Sequence, residues 1–381
     1  MSPMQRKDKK PKAKALRNMP EYQCGFREAQ SAIGSLLKSD GPSVLGGVVS
    51  VLSLFSGCGG LDLGFEGGFD FMGTQRERLP FRILAAYDNL RDAVECYRLN
   101  ISTAIHEADL TNVGQEELPD ADVLLGGFPC QDFSSSGPKT GFEGKRGELY
   151  KVLLSYMEAH HPKIVVGENV NYLARLRNGE YLRTILSDFE GAGYHFDVWE
   201  MYAPDYGIPQ SRRRLFLIGV RNDIAGFPKR PTPTTPTKPM TISEALRDLE
   251  CVHDETVPNQ SQYFVSSKAT GGGGQGDDAN DPDKVSYCIR ANARGRIQFH
   301  YSLPRRLTVR ECARLQTFPD TFIFPFTTQR NLTLIGNAVP PVLAHHVAQS
   351  IAAFLSAAKA GQPTLHVTDH RTYPIQQKLF A

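Results

Sequence analysis

The sequence lacks the cysteine pairs and the long apolar runs that would indicate a disulfide scaffold, a zinc site or a membrane anchor. Its seven cysteines form no Cys-x-x-Cys pair, which favours a reducing compartment and argues against zinc. No apolar run approaches the length of a transmembrane helix, and the first ten residues, MSPMQRKDKK, have no signal-peptide core. We therefore expect a cytoplasmic protein that binds neither a metal nor a membrane.

Charge of one sign is not in excess overall, but basic residues are clustered. The formal net charge is only +2, which does not by itself identify a partner. Basic groups occur at residues 6–17, at Arg212-Arg213-Arg214 and at a trio in a glycine-flanked segment, Arg290, Arg294 and Arg296. One such cluster is typical of a solvated face or a disordered tail. Three in one chain favour a polyanionic partner.

Apolar runs alternate with amphipathic stretches between Val48 and Val220. This alternation predicts a doubly wound α/β sheet, which binds ligands beyond the carboxyl ends of its strands. The predicted strands are Val48–Phe55, Arg82–Tyr87, Asp122–Gly126, Lys163–Gly167 and Leu215–Val220. The predicted helices are Arg27–Lys38, Leu90–Asn100, Gly147–Ala159, Tyr181–Ala192, Leu307–Gln316 and Pro341–Leu355.

The composition changes around Phe227 and predicts a division of the chain. A Pro- and Thr-rich run and a later glycine run support no regular structure, which indicates a second, loop-rich region. The expected parts are a basic, partly disordered arm (1–47), an α/β domain (48–221), the loop-rich region (222–304), a segment rejoining the first domain (305–358) and a tail (359–381).

A glycine turn follows the first predicted strand. Gly57, Gly59 and Gly60 would let a nucleotide-like ligand approach the backbone at a helix N-terminus. Asp88 follows the next strand and could hold two ribose hydroxyls, and Asp109 ends the third unit and could accept from an adenine amine. A tight turn without a ligand explains the glycines alone equally well. Turn and two acids in consecutive βα units favour an adenosine-containing cofactor.

A cysteine follows a proline at the end of the buried run 122–128. Cys130 is thus expected at a strand tip, before a polar loop; taken alone, a buried inert thiol is the commoner situation. Glu168 follows the next predicted strand, and neighbouring parallel strands would bring thiol and carboxyl to one edge. There a raised pKa would let Glu168 act as an acid. The alternative for Glu168 is a surface carboxylate that caps the next helix.

Three arginines precede the last strand of the alternating pattern. On a strand, Arg212 and Arg214 point to one face and Arg213 to the other. The alternative is an exposed edge strand that its charges protect from pairing with other chains.

Together these motifs resemble those of the DNA (cytosine-5)-methyltransferases, the S-adenosylmethionine-dependent enzymes common in bacterial restriction–modification systems. The resemblance covers about Val48 to Leu355. The motifs in the family's order are the glycine turn, PCQ at 129–131, a weaker RGEL at 146–149, ENV at 168–170, QSRRR at 210–214, the segment 305–320 and IGNAVPP at 335–341. The resemblance implies a sequence-specific methyltransferase for double-stranded DNA, with a Rossmann-like catalytic domain at 48–221 and a target-recognition domain at 222–304.

The resemblance also implies residue roles. Cys130 would add to C6 of a cytosine flipped out of the duplex, and Glu168 would engage N3. Arg214 would lie near O2, with Arg212 helping to hold the nucleotide. The positions that match S-adenosylmethionine contacts are Phe55, Gly57, Gly60, Asp88, Asp109, Leu110, Pro129, Leu149 and Asn337. The candidate DNA contacts are Gln131 and Ser134 on the loop that closes over DNA, and Arg290, Arg294 and Arg296, for which guanine readout, phosphate contact and solvation all remain open.

The sequence departs from the family pattern near the expected cofactor. Ser53 stands where many relatives have aspartate, a change expected to be harmless. Asp88 stands where glutamate is commoner, and Asn89 stands where some relatives stack a tryptophan on adenine. None of these positions bears a reacting atom.

Two other functions are compatible with parts of the pattern. A small branch of the family methylates tRNA with the same PCQ and ENV residues, but the sizeable region after Gly219 favours DNA. A DNA-binding regulator would need an N-terminal extension, and the stretch before Val48 is short and interrupted by Gly and Pro. We further expect a monomer and a cognate restriction endonuclease that acts on the same site without necessarily binding this protein.

Overall fold

A seven-stranded sheet forms the centre of the protein in the computed structural model, which describes residues 47–129, 149–250, 257–260, 278–292 and 298–361. In chain order the strands are β1 (Val49–Leu54), β2 (Phe69–Phe71), β3 (Thr74–Arg76), β4 (Phe81–Asp88), β5 (Ile105–Glu107), β6 (Val123–Gly126), β7 (Ile164–Val170), β8 (Tyr194–Tyr202), β9 (Arg213–Arg221), β10 (Asp278–Ala279) and β11 (Gln298–Phe299).

The spatial order of the central sheet is β5-β4-β1-β6-β7-β9-β8. The five strands from β5 to β7 are parallel, and β9 runs antiparallel to both of its neighbours. From β1 the chain builds one half of the sheet through β4 and β5 and then returns to place β6 on the other side of β1. The predicted doubly wound α/β fold is therefore confirmed, with its switch point between β1 and β6, where such sheets bind ligands.

Helices cover both faces of this sheet. They are α1 (Gly60–Glu66), α2 (Arg91–Asn100), α3 (Tyr150–His160), α4 (Glu180–Gly191), α5 (Ile242–Leu246), α6 (Val309–Leu315), α7 (Thr328–Asn337) and α8 (Pro341–Lys359). Alternate strand residues enter two cores: Val123 packs in the core with α1, α2 and α8, and Leu124 packs in the core with α3 and α4. Burial on both faces explains why the strands are nearly continuous apolar runs.

The arginine-led strand β9 lies inside the sheet. It pairs with β7 on one side and β8 on the other, and its residues from Leu215 to Ile218 are fully buried. The alternative of an exposed, charge-protected edge strand is therefore wrong, because both rows of backbone hydrogen-bonding groups of β9 are paired.

Among the described residues, the last two helices form one stretch that is long and apolar enough to pass for a membrane span. The most apolar 18-residue window of this stretch, Thr328–Lys359, is 67% buried within the protein. A core helix of a soluble protein has the same composition, so this stretch is weak evidence for a membrane.

Helix α8 packs closely against α1 at a glycine. A Cβ added to Gly64 would lie 2.3 Å from the Cβ of Ala344 and 2.6 Å from the carbonyl oxygen of Pro341. Real Cβ atoms are not found so close to backbone atoms, so the two helices meet only because residue 64 has no side chain. This contact joins the C-terminal helix to the helix that follows β1.

We expect Gly64→Ala to lower the free energy of unfolding by about 1–3 kcal/mol, because the extra methyl overpacks this contact. Gly191→Ala is the matched control, since a Cβ there meets nothing within 4 Å; it should be neutral or slightly stabilising. Urea denaturation measures both variants. Equal stability of the two variants would mean that α1 and α8 can separate without cost.

Candidate active site

The carboxyl ends of β1, β6 and β7 meet at one point, which we call the carboxyl edge. Leu54 pairs with Gly126, and Gly126 pairs with Gly167. A Cβ built on Gly127 would lie 3.6 Å from the carbonyl oxygen of Phe55 and 3.8 Å from a carboxylate oxygen of Glu168. Phe55 after β1, Gly127 after β6 and Glu168 within β7 thus surround one small space.

The chain approaches Cys130 at this edge. Phe128 is buried and Pro129 is half-buried. The Nδ2 of Asn169, itself 2% exposed, donates to the carbonyl oxygen of Phe128 at 3.2 Å. This bond holds the segment before Pro129 against β7. Cys130, Gln131 and Ser134 lie outside the described residues.

Glu168 is a buried strand residue. It lies within β7, where it pairs with Phe216, whereas the sequence pattern predicted that it would follow the strand. Its Oε1 lies 2.7 Å from the Nε of Arg214, and the two side chains are only 11% and 12% exposed. The alternative of a surface carboxylate that caps a helix is therefore wrong.

Burial raises the pKa of Glu168 above its usual range, although the charges of Arg214 and Arg212 act in the opposite direction. A buried carboxylate loses its hydration, which penalises the charged form, and the nearby guanidinium recovers part of that loss. The result is a carboxyl group that keeps a proton closer to neutral pH than a solvated glutamate does. Such a group can act as a general acid.

Arg212 has a different environment from Arg214. It is 1% exposed, and its guanidinium donates to the carbonyl oxygens of Ile289 at 3.0 Å, Gly336 at 2.9 Å and Ala338 at 2.8 Å. Burial lowers its pKa to about 10, so it stays charged at neutral pH. These bonds commit both terminal nitrogens to the backbone, and the expected contact with the nucleotide does not follow from this geometry.

Two glutamines for which the sequence predicts no role, Gln210 and Gln316, complete the hydrogen-bond network around Arg212. Gln210 is fully buried; its Nε2 donates to the side chain of Gln316 at 2.5 Å, and its Oε1 accepts from the backbone N–H of Ile289 at 2.9 Å. Gln316 in turn donates to the carbonyl oxygen of Ala338 at 2.5 Å. Gln210 belongs to the QSRRR motif. The motif could have indicated that this residue matters, but it does not indicate which residues it binds.

The glycine loop, residues 55–60, leaves β1 in a left-handed conformation. Phe55, Gly57 and Gly59 have φ values of 57°, 58° and 90°. A Cβ on Gly59 would lie 2.1 Å from the side chain of Ile101, so only glycine fits there, whereas Gly57 faces open space. Phe55 is not a glycine, and a bulky residue at positive φ is strained, a feature that clusters at ligand sites.

Asp88 closes the loop from the neighbouring strand β4. Its Oδ2 accepts from the N–H of Gly57 at 2.8 Å, and its Oδ1 accepts from the N–H of Leu90 at 2.8 Å. Burial raises its pKa, against the effect of these bonds. The carboxylate is therefore held at a fixed position, and each of its oxygens has a second lone pair that can accept from a hydroxyl.

The other predicted cofactor residues lie on neighbouring elements. The Oδ1 of Asp109 accepts from the N–H and the hydroxyl of Thr111, and Leu110 is buried. Leu149 is half-buried directly before α3. Asn337 is exposed at the end of α7, close in sequence to Val339, whose carbonyl oxygen would lie 2.3 Å from a Cβ on Gly60 of the loop.

Only one of the predicted base-reading arginines is described. Arg290 is exposed and follows Ile289, which Arg212 and Gln210 hold in place. Arg294 and Arg296 lie outside the described residues.

Comparison with known proteins identifies the family. The model of the family "C-5 cytosine-specific DNA methylase" matches residues 49–275 and 274–353. The type II methyltransferase M.NgoFVII of Neisseria gonorrhoeae is 34% identical over 79% of this chain and 86% of its own length. The type II methyltransferase M.BsuRI of Bacillus subtilis is 33% identical over 80% of this chain and 79% of its own length.

Solved structures show the same fold. The Dnmt2 methyltransferase of S. pombe matches with a TM-score of 0.60 and 20% identity, over 81% of this chain and 98% of its own. The Entamoeba histolytica methyltransferase EhMeth matches with a TM-score of 0.62 and 18% identity, over 81% and 99%. At these identities the structures are evidence for the fold alone. The family model and the curated relatives lead to one conclusion: the chain belongs to the C-5 cytosine-specific DNA methylase family, and it is a DNA methyltransferase.

Proposed function

We propose that this methyltransferase acts on a specific sequence in double-stranded DNA, where it transfers a methyl group from S-adenosylmethionine to C5 of a flipped-out cytosine through a covalent adduct with Cys130. The observation that carries the proposal is the buried Glu168–Arg214 pair at 2.7 Å, at the carboxyl edge where the chain approaches Cys130. Chemistry on a pyrimidine ring requires an acid together with a nucleophile, and Glu168 lies at the edge that the chain reaches just before Cys130 in the sequence.

The glycine loop and Asp88 suit the proposed cofactor. Gly57 has a positive φ and open space where a side chain would project, so a ligand can approach the backbone there. The carboxylate of Asp88, fixed by two N–H groups, would accept from the two ribose hydroxyls. Phe55, Gly60, Asp109, Leu110, Pro129, Leu149 and Asn337 complete the proposed cofactor site. S-adenosylmethionine, when bound there, supplies the methyl group.

The protein's own residues would carry out the addition. The thiolate of Cys130 forms a bond to C6, and the electron pair of the C5–C6 double bond becomes available at C5. Glu168 holds a proton at N3 and stabilises this electron-rich ring, and Arg214 keeps Glu168 in place and lies near O2. After C5 has gained the methyl group it loses its proton, and the C6–S bond breaks to release thiolate. Sulfur suits both the attack and the departure.

The duplex must open for this chemistry, because ring atoms are inaccessible inside the base stack. Gln131 and Ser134 would contact DNA from the loop after Cys130, and the region 222–304, with Arg290, Arg294 and Arg296, would read the sequence. The names of the curated relatives, type II methyltransferases, support DNA over tRNA. We accordingly propose a cytoplasmic monomer that protects DNA from a cognate endonuclease.

Methyl incorporation tests this function. Purified protein with labelled S-adenosylmethionine should methylate duplex DNA, and bisulfite sequencing should find the modified cytosines in one recognition sequence. Incorporation into tRNA but not into DNA would overturn the proposal in favour of the RNA-directed alternative.

Cys130→Ser tests the covalent step in the same assay. Turnover should fall by about 10³-fold or more, because an alcohol is a far weaker nucleophile than a thiolate, while DNA binding persists. Cys24→Ser, outside the region of resemblance, is the control and should keep full activity. Duplex DNA with 5-fluorocytosine should trap the wild type covalently but not Cys130→Ser. Trapping through another residue would show that Cys130 is not the nucleophile.

Glu168→Gln tests the acid. The amide cannot hold a proton at N3 as the carboxylic acid does, so exchange of the C5 hydrogen should slow by about 10²–10⁴-fold with little change in DNA affinity. Burial raises the pKa of Glu168, so the wild type loses this proton as the pH rises into the alkaline range. The C5-hydrogen exchange rates of wild type and Glu168→Gln should therefore become more similar at alkaline pH.

The matched control for this substitution is Glu200→Gln. Glu200 pairs with the half-exposed Arg213 at 3.5 Å, near the same end of the sheet. Loss of the negative charge of Glu200 should leave the rate of C5-hydrogen exchange unchanged. If both variants exchanged the C5 hydrogen at the wild-type rate, Glu168 would have no part in the addition.

A further inference from the structure

We infer that Asp62 is a positioning residue for the glycine loop, because its carboxylate joins Ser53 of β1 to Tyr97 of α2 directly beneath that loop. This inference rests on the proposed function, since the glycine loop is part of the proposed S-adenosylmethionine site. Asp62 itself would not touch the cofactor.

The carboxylate of Asp62 is fully buried, and each of its oxygens accepts a hydrogen bond from a side-chain hydroxyl. Asp62 lies in the first turn of α1 and is 0% exposed. The hydroxyl of Ser53 donates to its Oδ1 at 2.7 Å, and the hydroxyl of Tyr97 donates to its Oδ2 at 2.8 Å. One side chain therefore ties together the strand before the loop, the helix after the loop and a helix from the next βα unit.

The Ser53 end of this arrangement continues into the loop. The hydroxyl of Ser56 donates to Ser53 at 3.0 Å and accepts from the N–H of Tyr87 at 3.2 Å. The N–H of Ser56 also donates to the carbonyl oxygen of Tyr87 at 3.0 Å. Tyr87 directly precedes Asp88, the proposed ribose ligand. The path from Asp62 thus reaches two of the segments that would hold the cofactor, the glycine loop and the end of β4.

The Tyr97 end supports the loop by direct contact. A Cβ added to Gly59 would lie 2.8 Å from the ring of Tyr97, so the loop backbone rests on this ring. The hydrogen bond to Asp62 fixes how far the ring extends towards Gly59. A shift of Tyr97 would move Gly59, and with it the open approach at Gly57.

Ser53 acquires a role that the sequence did not reveal. The substitution from the family's aspartate was expected to be harmless, and here the acid comes from Asp62 on the opposite side of the same hydrogen bond. An aspartate at 53 would place two carboxylates against each other in the core. Serine at 53 and aspartate at 62 therefore depend on one another in this chain.

The charge of Asp62 responds to pH near neutrality. Burial raises its pKa to about 7, the hydrogen bonds from Ser53 and Tyr97 lower it, and the charge of Glu66 raises it. The ionised form accepts from both hydroxyls. The protonated form must donate one hydrogen itself, which disturbs the bond to Ser53 or to Tyr97.

The test measures S-adenosylmethionine affinity by calorimetry in Asp62→Asn and Tyr97→Phe. Each removes or weakens a bond beneath the loop, so the dissociation constant should rise roughly tenfold for a lost hydrogen bond, with DNA affinity unchanged. Tyr194→Phe is the matched control: Tyr194 is also buried, its hydroxyl donates to Pro162 at 2.8 Å, and it begins β8 at the other end of the sheet. Cofactor affinity of this control should equal that of wild type.

The pH profile separates positioning from general stability. Wild-type affinity should weaken as the pH falls from about 8 to about 6, and the Asp62→Asn variant should lack this component. The inference would be overturned if Asp62→Asn bound S-adenosylmethionine as tightly as the wild type at both pH values. It would also be overturned if Tyr194→Phe lost as much affinity as Asp62→Asn. A wild-type protein that binds no S-adenosylmethionine would overturn the proposed cofactor as well, which distinguishes the two failures.

Discussion

The parallel pairing of β6 with β1 on one side and with β7 on the other is the constraint on which the site depends. Each parallel strand ends at the same edge, so residues far apart in the sequence leave the sheet next to each other. The glycine loop follows β1, the chain to Cys130 follows β6, and Glu168 lies two residues before the end of β7. Backbone hydrogen bonds in a buried sheet hold these three positions more rigidly than loop contacts would.

The antiparallel strand β9 supplies the positive charge that compensates the buried carboxylate of Glu168 at this edge. A buried carboxylate costs free energy unless a partner compensates for its lost hydration. Because β9 runs against β7, its first residues lie at the carboxyl edge, and Val170 pairs with Arg214. The side chain of Arg214 then reaches Glu168 on the same face of the sheet. A parallel strand in this place would have put its first residues at the opposite edge.

Arg212 and Gln210 link the start of β9 to segments that lie farther from the carboxyl edge. Through them two segments share hydrogen bonds with the start of β9. One is the segment around Ile289, from the loop-rich region, and the other is the segment 336–338, beside the glycine loop. Both terminal nitrogens of Arg212 and both polar atoms of the Gln210 side chain have partners, and a buried hydrogen-bond network of this kind is costly to disturb. Through this network the loop-rich region and the proposed cofactor segments keep a fixed position relative to Glu168 and Arg214.

The sequence by itself determined the fold class, the family and five of the seven strands of the central sheet. The runs that became β1, β4, β6, β7 and β9 are apolar because both faces of the sheet are covered, and that signal is local. Strand β5 is too short to stand out, and β8 carries His195, Asp197 and Glu200 among its apolar residues, so both were missed. Only the tertiary structure decided that β9 is an interior strand, that Arg212 binds backbone carbonyls, and that Asp62 lies beneath the glycine loop. The sequence specifies the chemical type of each side chain. Strand order and helix packing determine its partners, because they bring together residues that are distant in the sequence.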